Sequence, residues 1–459
     1  MRAKNFGKIR FSVTKIMIGL SVFFLVLYPY SVSLSRYVYP STNIKYLTLL
    51  FAAFSFVFLY FKSFYNTSNG VMKFRLSNYE ILFGLIGIYI TINNYDIRNG
   101  SYYYVISFWT IWLIMVTSKY SRSCQRILFR FMEIFTLFYA LVTIITLILP
   151  SVYFQFVIPL FDTESQKQLI KAYENGYMAG LTDHYSTNGM YMSVGVGIFG
   201  SKLLFDFKSK KNWLFVIISL AALLLTGKRG PLLFSIAAMV AVYFFFKEDK
   251  PKGRLLKIFC VMVIGVLGLL IASIFVPQLL NVVNRFLNES DNGDVTAGRG
   301  PLYQLAYELF LSKPITGHGW GSYPTFYYEQ LGKSMTVYQY RHAHNIYLQL
   351  LCETGIIGFA MYIIFFIYNI FITIKLYKAY RKDDIALSYS AEYILPFCLF
   401  IQIFFVMYGM TGNPLYDIAT LFPYYFSLLY VNYYRKNLVK IKNTKLFMKY
   451  LYKKGDVKI

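Results

Sequence analysis

The stretch YRHAHNIYLQLLCETGIIGF runs from Tyr340 to Phe359 and places Arg341, His342 and His344 directly ahead of an apolar run. The chain has only four histidines, the other two being His184 and His318. A neutral imidazole near pH 7 can take a proton. A guanidinium binds anions through a planar fork of donors. The tetrapeptide RGPL occurs at Arg229–Leu232 and again at Arg299–Leu302, with Lys228 adding a second cation at the first copy. In each copy the proline is placed to be the first residue of a helix, which suits its fixed φ and missing N–H. A cation beside a helix N-terminus is mildly unfavourable. It makes sense when an anion sits between, held by free backbone N–H groups and the guanidinium together. The plainer alternative is an arginine snorkelling at a helix end. The chemistry suggested is anion binding beside an outward-facing polar site.

Other chemistries fit less well. His342-x-His344 has the residue type of a zinc site, but no third ligand stands at useful spacing. GHGWGSY (Gly317–Tyr323) repeats glycine at alternate positions, yet no strand precedes it, so it reads as a tight turn near a ligand rather than a dinucleotide fingerprint. TGKRG lacks the upstream glycine and the Ser/Thr of a phosphate-binding loop. Glu289, Asp291, Asp294 and Glu329 read as solvated loop residues, and no catalytic carboxylate pair is apparent. Trp320, Tyr323, Tyr327 and Tyr328 could stack on sugars or simply pack the turn. Cys124, Cys260, Cys352 and Cys398 are scattered, with no CxxC pair, and read as small core residues.

The elements that must position these residues are membrane helices. Hydrophobic residues make up 57% of the 459-residue chain and charged residues 15%, against about 25% charged in soluble domains. The fold class expected is an all-α polytopic membrane protein, residues 1–459 forming a single integral membrane domain. Twelve candidate spans lie at about 12–30, 44–61, 78–93, 102–118, 127–149, 187–205, 212–226, 231–246, 255–276, 346–374, 390–409 and 417–433. The first resembles a signal sequence but lacks a cleavage site, so it reads as an uncleaved helix.

Lysine and arginine placement sets the topology. Putting segments 1–11, 62–77, 119–126, 202–211, 247–257, 375–382 and 435–459 inside gathers 32 of the 46 basic residues there. The positive-inside rule then gives a multi-pass plasma (inner) membrane protein with both termini cytoplasmic. The net charge of +25 accordingly reads as basic loops meeting anionic lipid, with no nucleic-acid partner. Two outer loops are long, 150–186 and 277–345, the second expected to carry much of the active site. The first holds FDTESQKQLIKAYENGY, a short helix with Thr163 and Gln166 as a capping box. The second holds PLYQLAYELFLS, with Leu302, Leu305, Ala306 and Leu309 on one face of an amphipathic helix. All four histidines fall on the outer side.

Three segments, LTGKRGPLL, AGRGPLYQLAYELFLSKPITGHGWGSY and HAHNIYLQLLCETGIIGF, resemble the O-antigen ligase and Wzy-type polysaccharide polymerase family in content and order. GLTDHYSTNGMY resembles the family's earlier H-x-N region more loosely, and Lys228 stands where a serine is common. The first five spans carry no matching motif. The resemblance implies a metal-independent inverting glycosyltransferase with no cofactor. It would move a glycan from a polyprenyl-diphosphate-linked oligosaccharide to a sugar hydroxyl on the outer membrane face. It further implies that Arg229 and Arg299 clamp the diphosphate and that His344 is the base. Lys228, Arg341, His318 and His184 would bind substrate, and Asn345 would orient the turn or a sugar. Expected partners are membrane lipid and a flippase and chain-length regulator of the same pathway.

Richness in Lys, Asn, Ile and Tyr with little Ala suggests an AT-rich genome. Many such bacteria are Gram-positive and lack lipid A, which favours polymerase over ligase. A flippase for lipid-linked sugars is the reading of another class. It calls for charges at mid-membrane and two related halves, whereas only Arg130, Glu133 and Glu353 lie at depth and no halves are evident. A structural scaffold for polysaccharide assembly would leave His344 dispensable.

Overall fold

The structure is a computed structural model that describes residues 13–31, 49–55, 57–58, 76–95, 102–117, 122–246, parts of 253–280, 298–332, 341–382 and 390–454. Among these it is helical throughout, with one isolated bridge between Asn94 and Trp320. The main helices are α1 (Val13–Ser31), α2 (Asn78–Ile92), α3 (Tyr102–Thr117), α4 (Arg122–Ile148), α5 (Thr163–Glu174), α6 (Tyr185–Phe205) and α7 (Lys210–Leu225). They continue with α8 (Arg229–Phe246), α9 (Gly300–Ser312), α10 (Tyr323–Gln330), α11 (Ile346–Lys382), α12 (Ala391–Tyr408) and α13 (Ile418–Lys454). The expected spans at 44–61 and 255–276 are described only in part, and 281–297 and 333–340 of the large loop lie outside the described residues.

Among the described residues four helices are long and apolar enough to cross a membrane: Cys124–Ile148 within α4, α8, α11 and α12. Shorter apolar helical stretches include Ile16–Tyr30, Asn78–Ile92 and Tyr104–Thr117. On α11 the outward stripe is apolar, with Ile364, Ile367 and Phe371 each more than half exposed. Ile134, Phe138, Leu141, Ile145 and Ile148 form a similar exposed stripe on α4. Apolar stripes of this length left facing outward belong against lipid. The chain is an integral membrane protein.

At the centre stand α6 and α12. α6 packs against α4, α7, α8, α12 and α13, while α12 packs against α6, α8, α11 and α13. The glycines of VGVGIFG in α6 permit this crowding. A Cβ at Gly195 would lie 2.8 Å from Thr136 of α4 and 2.8 Å from Ser219 of α7. One at Gly197 would strike the Phe400 ring of α12, and one at Gly200 would strike Met239 of α8. Small residues let membrane helices approach closely enough to gain dispersion contacts on several sides.

The two ends of α6 differ. His184 caps one end and Lys202 pairs with Glu133 near the other, roughly 30 Å away at 1.5 Å per residue. Lys436 pairs with the buried Glu80, whose carboxylate also accepts from Asn432 at 3.1 Å.

Three local expectations need correction. The helix after the first RGPL begins at Arg229, so Pro231 sits third in it rather than first. The missing N–H is still among the four that have no helical partner. The α5 cap is Asp162, not Thr163: its carboxylate accepts from Ser165 N at 2.9 Å, and Gln166 bonds Phe161 O. The helix from Ile346 is not continuous, because Gly355 adopts φ 61° and ψ −170° and breaks it.

Candidate active site

The break at Gly355 joins two glycine-bearing motifs. Pro314–Gly319 runs directly beneath Glu353–Gly358. His318 N donates to Cys352 O at 2.9 Å, Gly319 N to Glu353 O at 2.8 Å, and Ile356 N to Pro314 O at 2.9 Å. A Cβ on Gly355 would collide with the Ile315 carbonyl, and one on Gly317 with the Glu353 backbone. Both glycines have positive φ. They allow backbone to lie on backbone, so the carbonyls and N–H groups exposed by the break find partners. Trp320 extends the contact by donating from its backbone N to Asn93 O at 2.6 Å.

The same arrangement fixes α9. Leu302, Leu305 and Ala306 are buried, Leu309 packs beside them, and the helix lies on α11. The amphipathic face therefore covers the bundle. Tyr323 OH donates to Leu302 O at 2.9 Å. His318 closes the far end, its Nε2 lying 2.9 Å from Leu309 O and 2.8 Å from Ser312 Oγ. Its imidazole thus fastens the Gly317–Gly321 turn to α9.

The two RGPL copies, 70 positions apart in the chain, meet at one hairpin between α12 and α13. Arg299, the N-cap residue of α9, donates from Nη1 to Thr411 O at 2.8 Å. Gly230, in the first turn of α8, lies so close that an added Cβ would be 3.6 Å from Thr411 Oγ1. The start of α11 docks on the same hairpin, with Ile346 N donating to Gly409 O at 2.8 Å and Tyr347 OH to Val406 O. The start of α6 packs against the first RGPL copy: a Cβ on Gly189 would lie 3.6 Å from both Lys228 Cβ and Pro231 Cγ. These helix N-termini, each with positive partial charge, converge here together with Lys228, Arg229 and Arg299.

His344 stands among them. Its φ of 54° is left-handed, a conformation costing an ordinary residue about 1–3 kcal/mol and kept only where surroundings enforce it. Asn345 follows as the cap of α11, its Oδ1 accepting from Tyr347 N at 3.0 Å and Leu348 N at 3.2 Å. The His-Asn dipeptide is thus a turn and a helix cap. Burial pushes the His344 pKa down to about 4, helped by the charges of Arg299, Arg341 and Lys228. An ordinary imidazole has a pKa of about 6.5. His344 is neutral at pH 7, but weakly basic until negative charge arrives to offset the three cations.

His184 and His342 flank this centre. His184 caps α6, its Nδ1 accepting from Ser186 N at 3.0 Å, and burial with Lys228 nearby lowers its pKa to about 4. Its ring stacks on Tyr185, over which Lys228 Nζ sits at 4.4 Å. His342 stacks on Tyr416 at 4.7 Å, and burial with His344 beside it lowers its pKa to about 3. Arg341 is exposed, its guanidinium 5.9 Å from the Tyr327 ring centroid.

Several contributors were passed over in the sequence. The hairpin TGNPLYD (Thr411–Asp417) supplies Thr411, Asn413 and Tyr416, and its run of polar residues between two apolar spans was the available signal. Burial, with a smaller contribution from the Asp183 charge, raises the pKa of Asp417 in this hairpin to about 6. Among the described residues no group of three or more His, Cys, Asp or Glu is arranged to hold a metal ion.

Among the described residues the protein is an all-helical membrane protein in which Arg299, Arg341 and Lys228 lie near His344. Residues 214–363 match the family model Wzy_C, described as O-antigen ligase, so this segment is similar to that family. It holds both RGPL copies, His318, His342, His344 and the Gly355 break, while α1–α6, α12 and α13 lie outside it. Members of the family are glycosyltransferase-like enzymes acting on lipid-linked glycans. A protein of Haemophilus influenzae described as uncharacterized is 24% identical over 180 residues, covering 37% of this chain and 45% of its own length. The chain thus spans less than half of that curated relative.

Proposed function

We propose that this protein polymerises polyprenyl-diphosphate-linked oligosaccharide repeat units on the outer face of the plasma membrane. The convergence of helix N-termini, with Arg299, Arg341 and Lys228 near a neutral His344, carries this reading. A diphosphate is the anion such a site suits, because guanidinium and ammonium groups donate to phosphate oxygens and the positive ends of helices favour negative charge.

In the proposed step the acceptor hydroxyl oxygen attacks the anomeric carbon of the donor sugar. The bond from that carbon to the diphosphate oxygen breaks, and its electron pair leaves with the lipid diphosphate. The arginines stabilise the charge gained by the leaving group. His344 takes the hydroxyl proton. Bound diphosphate offsets Arg299, Arg341 and Lys228, so the imidazole becomes more basic when donor is in place. Configuration inverts because attack and departure occur on opposite faces in one displacement. Arg341, Lys228 and His184 border the pocket as substrate-binding residues, whereas His318 and Asn345 hold its walls through the hydrogen bonds above.

Transfer to a different acceptor, the ligase reaction, uses the same donor chemistry. Purified protein in lipid vesicles with lipid-linked repeat unit as sole substrate separates the two. A ladder of lengthening products supports polymerase, and no product without a second acceptor supports ligase. The proposed orientation puts the exposed Lys313 outside and the exposed Lys208 inside. A cysteine at 313, but not at 208, should label with an impermeant reagent in intact cells; the reverse pattern sinks the outer-face assignment.

A further inference from the structure

Behind the histidine turn lies a buried polar hub that the transfer step does not use. Gln349, one turn into α11, is fully buried. Its Oε1 accepts from Ala343 N at 3.1 Å and from Asn413 Nδ2 at 2.8 Å. Its Nε2 lies 3.0 Å from His342 Nδ1 and donates to Glu353 Oε1 at 2.9 Å. Glu353, also fully buried, accepts in addition from Tyr416 OH and from Tyr323 N at 3.3 Å.

Two acceptor sites and two donor hydrogens are all that a side-chain amide has, and all four are engaged. The amide orientation is fixed too. Reversing it would set an NH₂ against the Ala343 N–H and a carbonyl oxygen against the Glu353 carboxylate. His342 Nδ1 must therefore accept, which places the proton of the neutral ring on Nε2. Ala343, whose N–H is gripped, is the residue between His342 and His344.

We infer that Gln349 is a positioning residue for the proposed glycosyl transfer: through Ala343 it holds the left-handed turn that presents His344, and through His342 it fixes a ring tautomer at the pocket. Glu353 and Asn413 hold Gln349 in turn. This rests on the reading of His344 as the base. A merely structural glutamine would affect the amount of folded protein and nothing about turnover. A positioning one should lower kcat while leaving donor binding to the cations.

The test uses the full chain in vesicles with lipid-linked repeat unit, comparing Gln349→Glu, Gln349→Met and His344→Ala with wild type. Gln349→Glu keeps the volume but loses the donors when ionised, and regains one when protonated. The titratable groups facing that position are His342, Glu353 and Tyr416. At pH 8 its kcat should fall by up to about 100-fold, the scale of a misplacement of ~1 Å, with donor KM within about twofold. Its turnover relative to wild type should rise as pH is lowered. Gln349→Met should be slow at every pH, with a ratio to wild type that does not move.

Both variants turning over within about twofold of wild type, or a Gln349→Glu ratio that is flat with pH, would overturn the inference. If neither variant folds, Asn413→Leu removes a single bond to the same amide from outside α11. It should show the same loss of kcat without change in KM, at smaller size, and a normal kcat there overturns the inference. An inactive His344→Ala beside normal Gln349 variants sinks the positioning role alone. A fully active His344→Ala sinks the base reading and the inference with it.

Discussion

The Arg299 guanidinium donates to the backbone carbonyl of Thr411 at 2.8 Å, at the hairpin against which Gly230 of the other RGPL copy is packed. One donor of the fork is thereby tied to protein, which aims the guanidinium. Arg299→Ala and Arg229→Ala should each abolish polymer at unchanged protein level. Arg299→Lys should recover only part of the activity, since an ammonium cannot hold Thr411 and an anion through one rigid fork. Full polymer from both alanine variants, read by gel, would leave the repeat a helix-start motif and nothing more.

The crossing of Gly317 and Gly355 makes a prediction about folding instead of chemistry. Both have positive φ and backbone where a Cβ would go. Gly355→Ala and Gly317→Ala should each lose most of the monodisperse protein in detergent. Gly230→Ala should be recovered normally, because its nearest neighbours would lie at 3.5 and 3.6 Å, an ordinary contact distance. Normal recovery of Gly355→Ala would show that the two motifs do not pack as described.

Acid should destabilise the protein through the histidines. His184, His342 and His344 are pushed down to about 4, 3 and 4 respectively, against about 6.5 when unfolded. Between roughly pH 6.5 and 4 the unfolded chain binds more protons, so stability falls as pH falls through that window. The apparent Tm in detergent should drop from pH 7 to pH 5. His184→Asn, which keeps an acceptor at the α6 cap, should make the drop shallower. An apparent Tm that rises on acidification would contradict the neutral, desolvated histidines.

The candidate site residues legible in the sequence were those of unusual type for their surroundings. Arginine and histidine in an apolar chain are conspicuous, so RGPL, His342 and His344 could be picked out and linked to an anion. Their meeting at Thr411 was not legible, because nothing local in TGNPLYD says which distant helix it will touch. Glu353 read as a charge at membrane depth, since glycine is tolerated inside membrane helices and the break at Gly355 leaves no periodicity signal. With the break, Glu353 becomes the anchor of Gln349. His318 shared the residue type of the others, yet its ring partner is the end of its own neighbouring helix.

The account stands most directly on His344. Its replacement by alanine, measured in vesicles with lipid-linked repeat unit, should lower kcat by about 10²–10⁴-fold while donor binding changes little. The wild-type acid limb of kcat/KM should lie well below pH 6.5, toward the value of about 4 set by burial and by Arg299, Arg341 and Lys228. The acid limb of kcat should lie higher, because bound diphosphate offsets those cations. Activity should survive a chelator. Near-normal turnover of His344→Ala, or activity lost to a chelator and restored by zinc, would contradict the assignment of His344 as the base.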